Sequence, residues 1–462
     1  MKHFSLFHHH TQSARLLTEG KPWKVLVSFA TPIFLSQLFQ QLYNTADSWI
    51  VGNFLGKEAL AAVNSSGSLI HLLTSFFVGA SMGAGVVISR YFGARDLERV
   101  SLAVHTNVVF ATICGLAMSL FGVIMTPQIL RWMGVPEEVL PRSVEYLRFY
   151  FLGCVPVVLY NSMKGMMNAV GDSRRPLYYL IVSSVLNVLL DLLFVGVFGL
   201  GVAWAAIATV VSQTVSAILC LVQFTRKETV YHLEWKKLRI DRDSLKEIVR
   251  YGLPTGVQNS VIGFANVLVQ TNINSFGALA MAACGAYSRI EGFVFLPIMS
   301  FSMALTSFIG QNLGAKEYDR AKQGARFGIL ASVILAETIG LIAFFFGGHF
   351  IATFISDEDP VAVAQIIAIG SVQFRVESLF FCLLAFSHSI AGVCRGAGKA
   401  IVPMSIMLAV WCVLRIIYIT VAMSISHIII LLFAAYPLTW FISSVIYFIY
   451  YKRSNWVHGF ES

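Results

Sequence analysis

Apolar runs of about 20 residues recur along the whole chain, each long enough to cross a hydrocarbon core of ~30 Å. They predict twelve membrane-spanning helices over 24–51, 60–88, 101–125, 144–168, 177–198, 201–224, 251–273, 281–309, 325–346, 363–390, 401–422 and 427–450. An outer-membrane barrel would instead show weak ten-residue segments of alternating polarity. The expected fold class is therefore an all-α polytopic membrane protein. One polar position stands out inside a run. Asp47, in "YNTADSWIVG", lies among Leu38, Phe39, Leu42, Trp49, Ile50 and Val51. A carboxylate in hydrocarbon costs about 3 kcal/mol even on a lenient insertion scale.

Composition sharpens this picture. Hydrophobic residues make up 57% of the 462 and charged residues only 12%, where a soluble chain is about a quarter charged. Of the 33 basic residues, 25 fall in the two termini and the loops after even-numbered spans. The positive-inside rule then places both termini in the cytoplasm. The net charge of +9 is accounted for by this topology, so no nucleic-acid partner is expected. The N-terminus lacks the apolar core of a cleavable signal peptide, and span 1 is expected to serve as an uncleaved signal. His8, His9 and His10 could bind a metal but read as incidental on a terminal tail. Cys114, Cys154, Cys220, Cys284, Cys382, Cys394 and Cys412 are scattered without CxxC spacing, which suits helix packing better than a metal site or disulfides.

The chain is also self-similar. "NFLGKEALAAVNSSGS…SRYFGARDLER" from Asn53 pairs without a gap with "NSFGALAMAACGAYSR…GQNLGAKEYDR" from Asn274, at an offset of 221. "GMMNAVGDSRRP" from Gly165 pairs with "GVCRGAGKAIVP" from Gly392 at an offset of 227. Pro32 and Pro254 open spans 1 and 7. The expected organisation is a tail (1–23), a six-helix bundle (24–224), a basic cytoplasmic linker (225–250), a second, pseudo-symmetric six-helix bundle (251–450) and a tail (451–462). Parallel six-helix repeats are a transporter architecture, with substrate held where the repeats meet.

Residues common to both repeats build scaffold; polar residues present in one repeat alone are candidates for chemistry. Asp47 falls opposite Leu268 or Val269, Asn187 opposite Leu414 and Asp191 opposite Tyr418. Asn187 and Asp191, four apart, share a helix face. Tyr43 lies one turn before Asp47, and span 6 offers Thr209 and Ser212. If spans 1, 5 and 6 meet, these groups form a buried nest of oxygens. Such a nest can hold a proton between its two acids, or Na⁺ among carboxylate, amide and hydroxyl oxygens. Intramembrane acids are functional by default, and no Lys or Arg of these spans lies deep enough to neutralise this pair. Pro32, fifteen residues before Asp47, removes a helix hydrogen bond and favours a kink.

These residues resemble the multidrug and toxic compound extrusion (MATE) family, specifically its prokaryotic branch similar to DNA-damage-inducible protein F. The resemblance covers about residues 20–450. It rests on Pro32, Tyr43 and Asp47 in span 1, on "VGNFLG…LAAV", "SRYFGARD", the Asn187–Asp191 pair, Thr209, "GQNLGAK" and "RGAGK", taken in order and spacing. It implies two bundles forming a V around a central cavity, and export of cationic or amphipathic compounds driven by inward H⁺ or Na⁺. It further implies a multi-pass protein of the bacterial inner (plasma) membrane. Asp47, Asn187, Asp191 and Thr209 correspond to the family's first-half cation site, Tyr43 to a cavity residue and Pro32 to the bending point. One branch uses acids in span 7, and here span 7 has none. Glu291 and Glu377 could form a second-half site, or could pair with Arg289 and Arg375, each two residues earlier. Arg415 and Glu337 read as structural.

The chain's 36 Phe and 14 Met could line a cavity tolerant of flat ligands, though most face lipid or other helices. Walker, GxSxG and zincin motifs are absent, so no catalysis and no cofactor are expected. "GARD" and "GAGK" read as turns. The expected partners are drug-like cations and membrane lipid, and the expected state is a monomer. The alternative is a lipid-linked oligosaccharide flippase of the same superfamily, which would need a strongly cationic cavity. A receptor or channel would need an extramembrane domain or a filter-like segment.

Overall fold

The computed structural model describes residues 16–133, 135–355 and 359–460, so His8–His10 lie outside the described residues. It is 86% helical, with no strand among the described residues. The first repeat comprises α1 (Pro22–Leu55), α2 (Lys57–Gly93), α3 (Leu97–Trp132), α4 (Leu140–Leu152), α5 (Cys154–Ala169), α6 (Arg174–Asp191) and α7 (Val202–Phe224). The second comprises α8 (Arg242–Asn274), α9 (Ala278–Gly314), α10 (Tyr318–Ala352), α11 (Pro360–Glu377), α12 (Phe381–Gly396), α13 (Ile401–Met407), α14 (Arg415–Ile425) and α15 (Ile429–Arg453). Two π-helical segments interrupt this order: Leu192–Val197 directly after Asp191, and Leu408–Leu414 directly before Arg415.

Among the described residues, ten helices are long and apolar enough to cross a membrane, and α4 with α5 supplies another across a 52° bend. The bend lies at Gly153, where an added Cβ would collide with Val210 of α7. The expected span 251–273 lies within α8 and is long enough to cross. Its Gln258, Asn259, Asn266, Gln270 and Asn272 make it markedly more polar than the others.

The repeat is visible in the backbone at the offsets read from the sequence. Arg95 (φ 59°) matches Lys316 (φ 61°), and Gly171 (φ 81°) matches Gly398 (φ 74°). In each case a left-handed residue ends a helix, and the next N–H closes back on a carbonyl five residues earlier. Asp96 N donates to Tyr91 O at 2.9 Å and Glu317 N to Asn312 O at 2.8 Å; Asp172 N donates to Met167 O at 2.9 Å and Lys399 N to Cys394 O at 2.8 Å. These are Schellman-type caps, and Arg95 and Lys316 adopt them at a cost of about 1–2 kcal/mol for a residue with a Cβ.

By packing, the chain divides into two compact units, chiefly Thr31–Gly256 and Val257–Ser462, with Thr18–Ala30 belonging to the second and Gly314–Lys316 to the first. In the first unit, Ile50 and Val51 of α1 pack with Ala59 and Val63 of α2, Tyr146 and Tyr150 of α4, Val195, and Val202, Ala205 and Ala206 of α7. Close approach there depends on small residues. An added Cβ at Gly79 would stand 2.7 Å from Gly256 Cα, and one at Gly83 would run into Gly252, a crossing of the small-xxx-small kind that membrane helices favour. The linker is held against the same unit: Glu234 N donates to His105 Nε2 (3.0 Å), Asp241 N to Thr106 Oγ1 (3.0 Å) and Tyr231 OH to Asp172 Oδ2 (2.9 Å). In the second unit, Phe381, Leu384, Trp411, Trp440 and Tyr447 form one core, and Val269, Cys284, Ile419, Leu432 and Phe433 another.

Candidate cation site

Four helices of the first unit bring the candidate residues together. α1 carries Tyr43 and Asp47, α6 carries Asn187 and Asp191, α7 carries Thr209 and Gln213, and α4 carries Tyr146. The apolar stripe of α1 through Ile50 and Val51 faces these helices, and Asp47, one turn earlier, is turned inward with it. Asp191 closes α6 at the point where the helix widens into its π segment, a distortion frequent at functional sites.

Asp191 is fully buried, and Asp47 is 9% exposed. Their carboxyl groups stand close enough to interact directly. Tyr43 and Tyr146 lie within electrostatic range of both acids. Asn187 Nδ2 donates to Thr209 Oγ1 at 3.4 Å, and that hydroxyl donates to Ala205 O at 3.1 Å. Gln213 Nε2 donates to Tyr43 OH at 3.3 Å.

The remaining acceptors are the informative ones. Asp47 Oδ1, both oxygens of Asp191, Asn187 Oδ1 and Gln213 Oε1 are buried and receive no hydrogen bond among the described residues. Burying an ionised carboxylate without a partner costs several kcal/mol, so such a group takes up a proton or a cation. Acceptor-only oxygens from two carboxylates and two amides are the donor set of a hard cation, without the thiolates or imidazoles that soft metals select. Among the described residues no group of three His, Cys, Asp or Glu side chains forms a metal cluster.

Of the first-half candidates read from the sequence, Tyr43, Asp47, Asn187, Asp191 and Thr209 reach this cluster, and Ser212 and Pro32 do not. Ser212 is spent on its own helix, donating to Ala208 O at 2.7 Å. Pro32 is buried inside α1, which continues as helix through it. Tyr146 and Gln213 escaped the sequence reading. Gln213 was findable: at the 227 offset it falls opposite Trp440, and it lies one turn after Thr209. Tyr146 carried no such signal.

Glu291 and Glu377 lie in the second unit and interact with each other. Arg289 and Arg375 are exposed and pair with neither. Glu377 Oε2 accepts from Tyr287 OH at 2.8 Å and Oε1 from Gln373 Nε2 at 2.9 Å. Glu337 accepts from the backbone N–H of Cys382 at 3.2 Å.

The MatE family model matches residues 32–193 and 254–421, one stretch in each repeat. The probable multidrug resistance protein YoeA of Bacillus subtilis is 29% identical over 460 residues, covering 96% of this chain and 97% of its own. The probable multidrug resistance protein NorM of Thermotoga maritima is 29% identical over 399 residues, 84% of this chain and 83% of its own. Among solved structures, a MOP-superfamily transporter from Pyrococcus furiosus superposes with a TM-score of 0.91 at 22% identity, covering 98% of this chain and 99% of that one. An outward-facing multidrug resistance MATE transporter superposes at 0.89 and 22% identity with the same coverage. At that identity the structural likeness carries the fold.

Proposed function

The chain belongs to the MatE family, a family of transporters rather than enzymes, and on that premise we propose that it exports cationic or amphipathic small molecules in exchange for inward H⁺ or Na⁺. The coupling ion is held at Asp47 and Asp191, with Asn187 and Thr209 as further oxygen ligands. Tyr43 contributes to the substrate cavity, and Pro32 supplies the bend of α1. The protein works as a monomer in the bacterial plasma membrane with both termini in the cytoplasm, an orientation supported by the distribution of Lys and Arg.

The observation that carries this reading is the buried acid pair that has, among the described residues, no cationic side chain beside it and no donor to three of its four oxygens. A charge that the protein does not balance must be balanced by something mobile. Proton or sodium arrival and departure then changes the charge of one buried cluster, which gives the two conformations of a transporter something to discriminate. The relatives' names as multidrug resistance proteins support the substrate class.

Dye efflux measured in inside-out vesicles, with pH and sodium gradients imposed separately, tests it. One of the two gradients is expected to drive transport. Equal transport with neither gradient would remove antiport from the proposal.

A further inference from the structure

A cleft opens on the flank of the first unit, where the start of α8 passes α2, α3 and α5. Its walls include Phe76 of α2, Phe110 and Cys114 of α3, Val158 of α5, and Val249 and Leu253 of α8, around a cavity of about 80 Å³. Asn107 and Ser162 in its lining answer each other, Asn107 Nδ2 donating to Ser162 Oγ at 2.6 Å. The rim is open to hydrocarbon. Leu253 is 47% exposed, and Ile113 and Leu116, flanking Cys114 on α3, are 50% and 57% exposed. An apolar cavity of this size stays dry and accepts hydrocarbon instead.

The same side of α8 changes character toward its N-terminus. Arg242, Lys246 and Arg250 recur every fourth residue and so form one stripe along the helix. Val249 and Leu253 follow Lys246 and Arg250 by three residues each, which sets the stripe beside the rim of the cavity. Along the axis, Lys246 lies about 5 Å and Arg242 about 10 Å before Val249. All three cations are exposed and pair with no acid among the described residues. Glu247 is taken up by Tyr91 OH (2.8 Å) and Arg90 (3.6 Å), which leaves Asp243 to face three cations in these turns. Asp241 N donates to Thr106 Oγ1 at 3.0 Å, beside the Asn107 that lines the cavity, and so fixes the start of the stripe at the mouth of the cleft.

We propose that this cleft holds an acyl chain of an anionic phospholipid of the cytoplasmic leaflet, with the phosphate on Arg242, Lys246 and Arg250. Basic residues just cytoplasmic of a span attract anionic headgroups, and an apolar slot beside them selects a lipid over a free anion, because each buried methylene adds to the binding. A lipid seated there bridges α3 and the first turns of α8. The inference rests on the membrane orientation proposed above and not on the coupling-ion reading.

Native mass spectrometry of the full-length protein in detergent, titrated with phosphatidylglycerol or with phosphatidylcholine of the same chains, tests it. Phosphatidylglycerol is expected to bind about tenfold or more tightly than phosphatidylcholine. Arg242→Gln/Lys246→Gln/Arg250→Gln should erase that preference, at about fivefold for each charge removed. Lys236→Gln/Lys237→Gln, in the linker and off the stripe, should keep it. Cys114→Phe fills the cavity with every charge in place and should weaken phosphatidylglycerol several-fold. Equal binding of the two lipids, equal loss in both charge variants, or a Cys114→Phe that binds like the native protein overturns the proposal. Should Cys114→Phe not fold, the native thiol reports instead. Alkylation of Cys114 by N-ethylmaleimide, read peptide by peptide, should slow several-fold with phosphatidylglycerol and not with phosphatidylcholine, while Cys382 of the second unit stays unchanged. A Cys114 that phosphatidylglycerol does not protect overturns the proposal equally. Gradient-independent efflux, which would remove the antiport reading, leaves these outcomes untouched.

Discussion

Each unit buries a pair of acids within a helical bundle, and the two pairs are satisfied in opposite ways. At Asp47 and Asp191 three carboxylate oxygens receive nothing from the protein. At Glu377 both oxygens accept hydrogen bonds, from Tyr287 and Gln373. Each unit also carries a π-helical segment, Leu192–Val197 after Asp191 and Leu408–Leu414 before Arg415. The same local device thus presents an acid in one unit and a base in the other. The difference separates a cluster without donors from the protein, as the proposed exchange requires, from one whose acid is hydrogen-bonded by its neighbours.

The sharpest way to break this comparison is to neutralise one acid at a time. Asp47→Asn or Asp191→Asn is expected to bring gradient-driven dye efflux down to background while the protein still folds and inserts. Melting followed alongside efflux should show no loss of stability, since an amide removes a carboxylate that lacked donors. If efflux persists at native rates, the first cluster is not the coupling site. Glu377→Gln should do the reverse. It disturbs a buried carboxyl that accepts from Tyr287 and Gln373, and leaving such buried partners unsatisfied costs about 1–3 kcal/mol, read as a drop in thermal stability.

Smaller effects sharpen the picture. Gln213→Ala removes the hydrogen bond to Tyr43 and is expected to cost about 1 kcal/mol of stability, with a several-fold fall in efflux because Tyr43 loses its orientation. A control away from both clusters is Asp241, which caps α8 by accepting from Ser244 N at 2.9 Å. That backbone N–H, with the Ser244 hydroxyl, holds the Asp241 carboxyl below the usual carboxylate range. Stability from such a depressed acid is present above its unfolded value and is lost as pH falls through its folded one. Asp241→Ala should therefore cost about 1 kcal/mol near neutrality, and the gap to the native protein should close below about pH 4. The same substitution should leave efflux unchanged.

Much of this was legible in the chain. Runs of apolar residues marked the helices, and the 221 and 227 offsets reappear as matched left-handed residues at Arg95 and Lys316 and at Gly171 and Gly398. Removing what the repeats share left Asp47, Asn187 and Asp191, which the fold brings into one cluster with Thr209. The partners of Glu377 were not legible. Arg289 and Arg375 looked nearer to the glutamates in sequence, but residues two apart on a helix point away from each other, and both face outward. Tyr287 reaches Glu377 from another helix, 90 residues away along the chain. Tyr146 was hidden for a related reason. It is one of several tyrosines along α4 and α5, and only the packing of α4 against α1, α6 and α7 distinguishes it.

What the sequence settled alone was element type, the recurrence of one bundle in another, and which polar residues had no twin, because periodicity and self-similarity are properties of the order of residues. What waited for the tertiary structure was which buried charges were answered by the protein itself. Compensation acts through space between helices far apart in the chain. Acids equally conspicuous as letters can therefore meet a tyrosine and a glutamine in one place and only each other in the next.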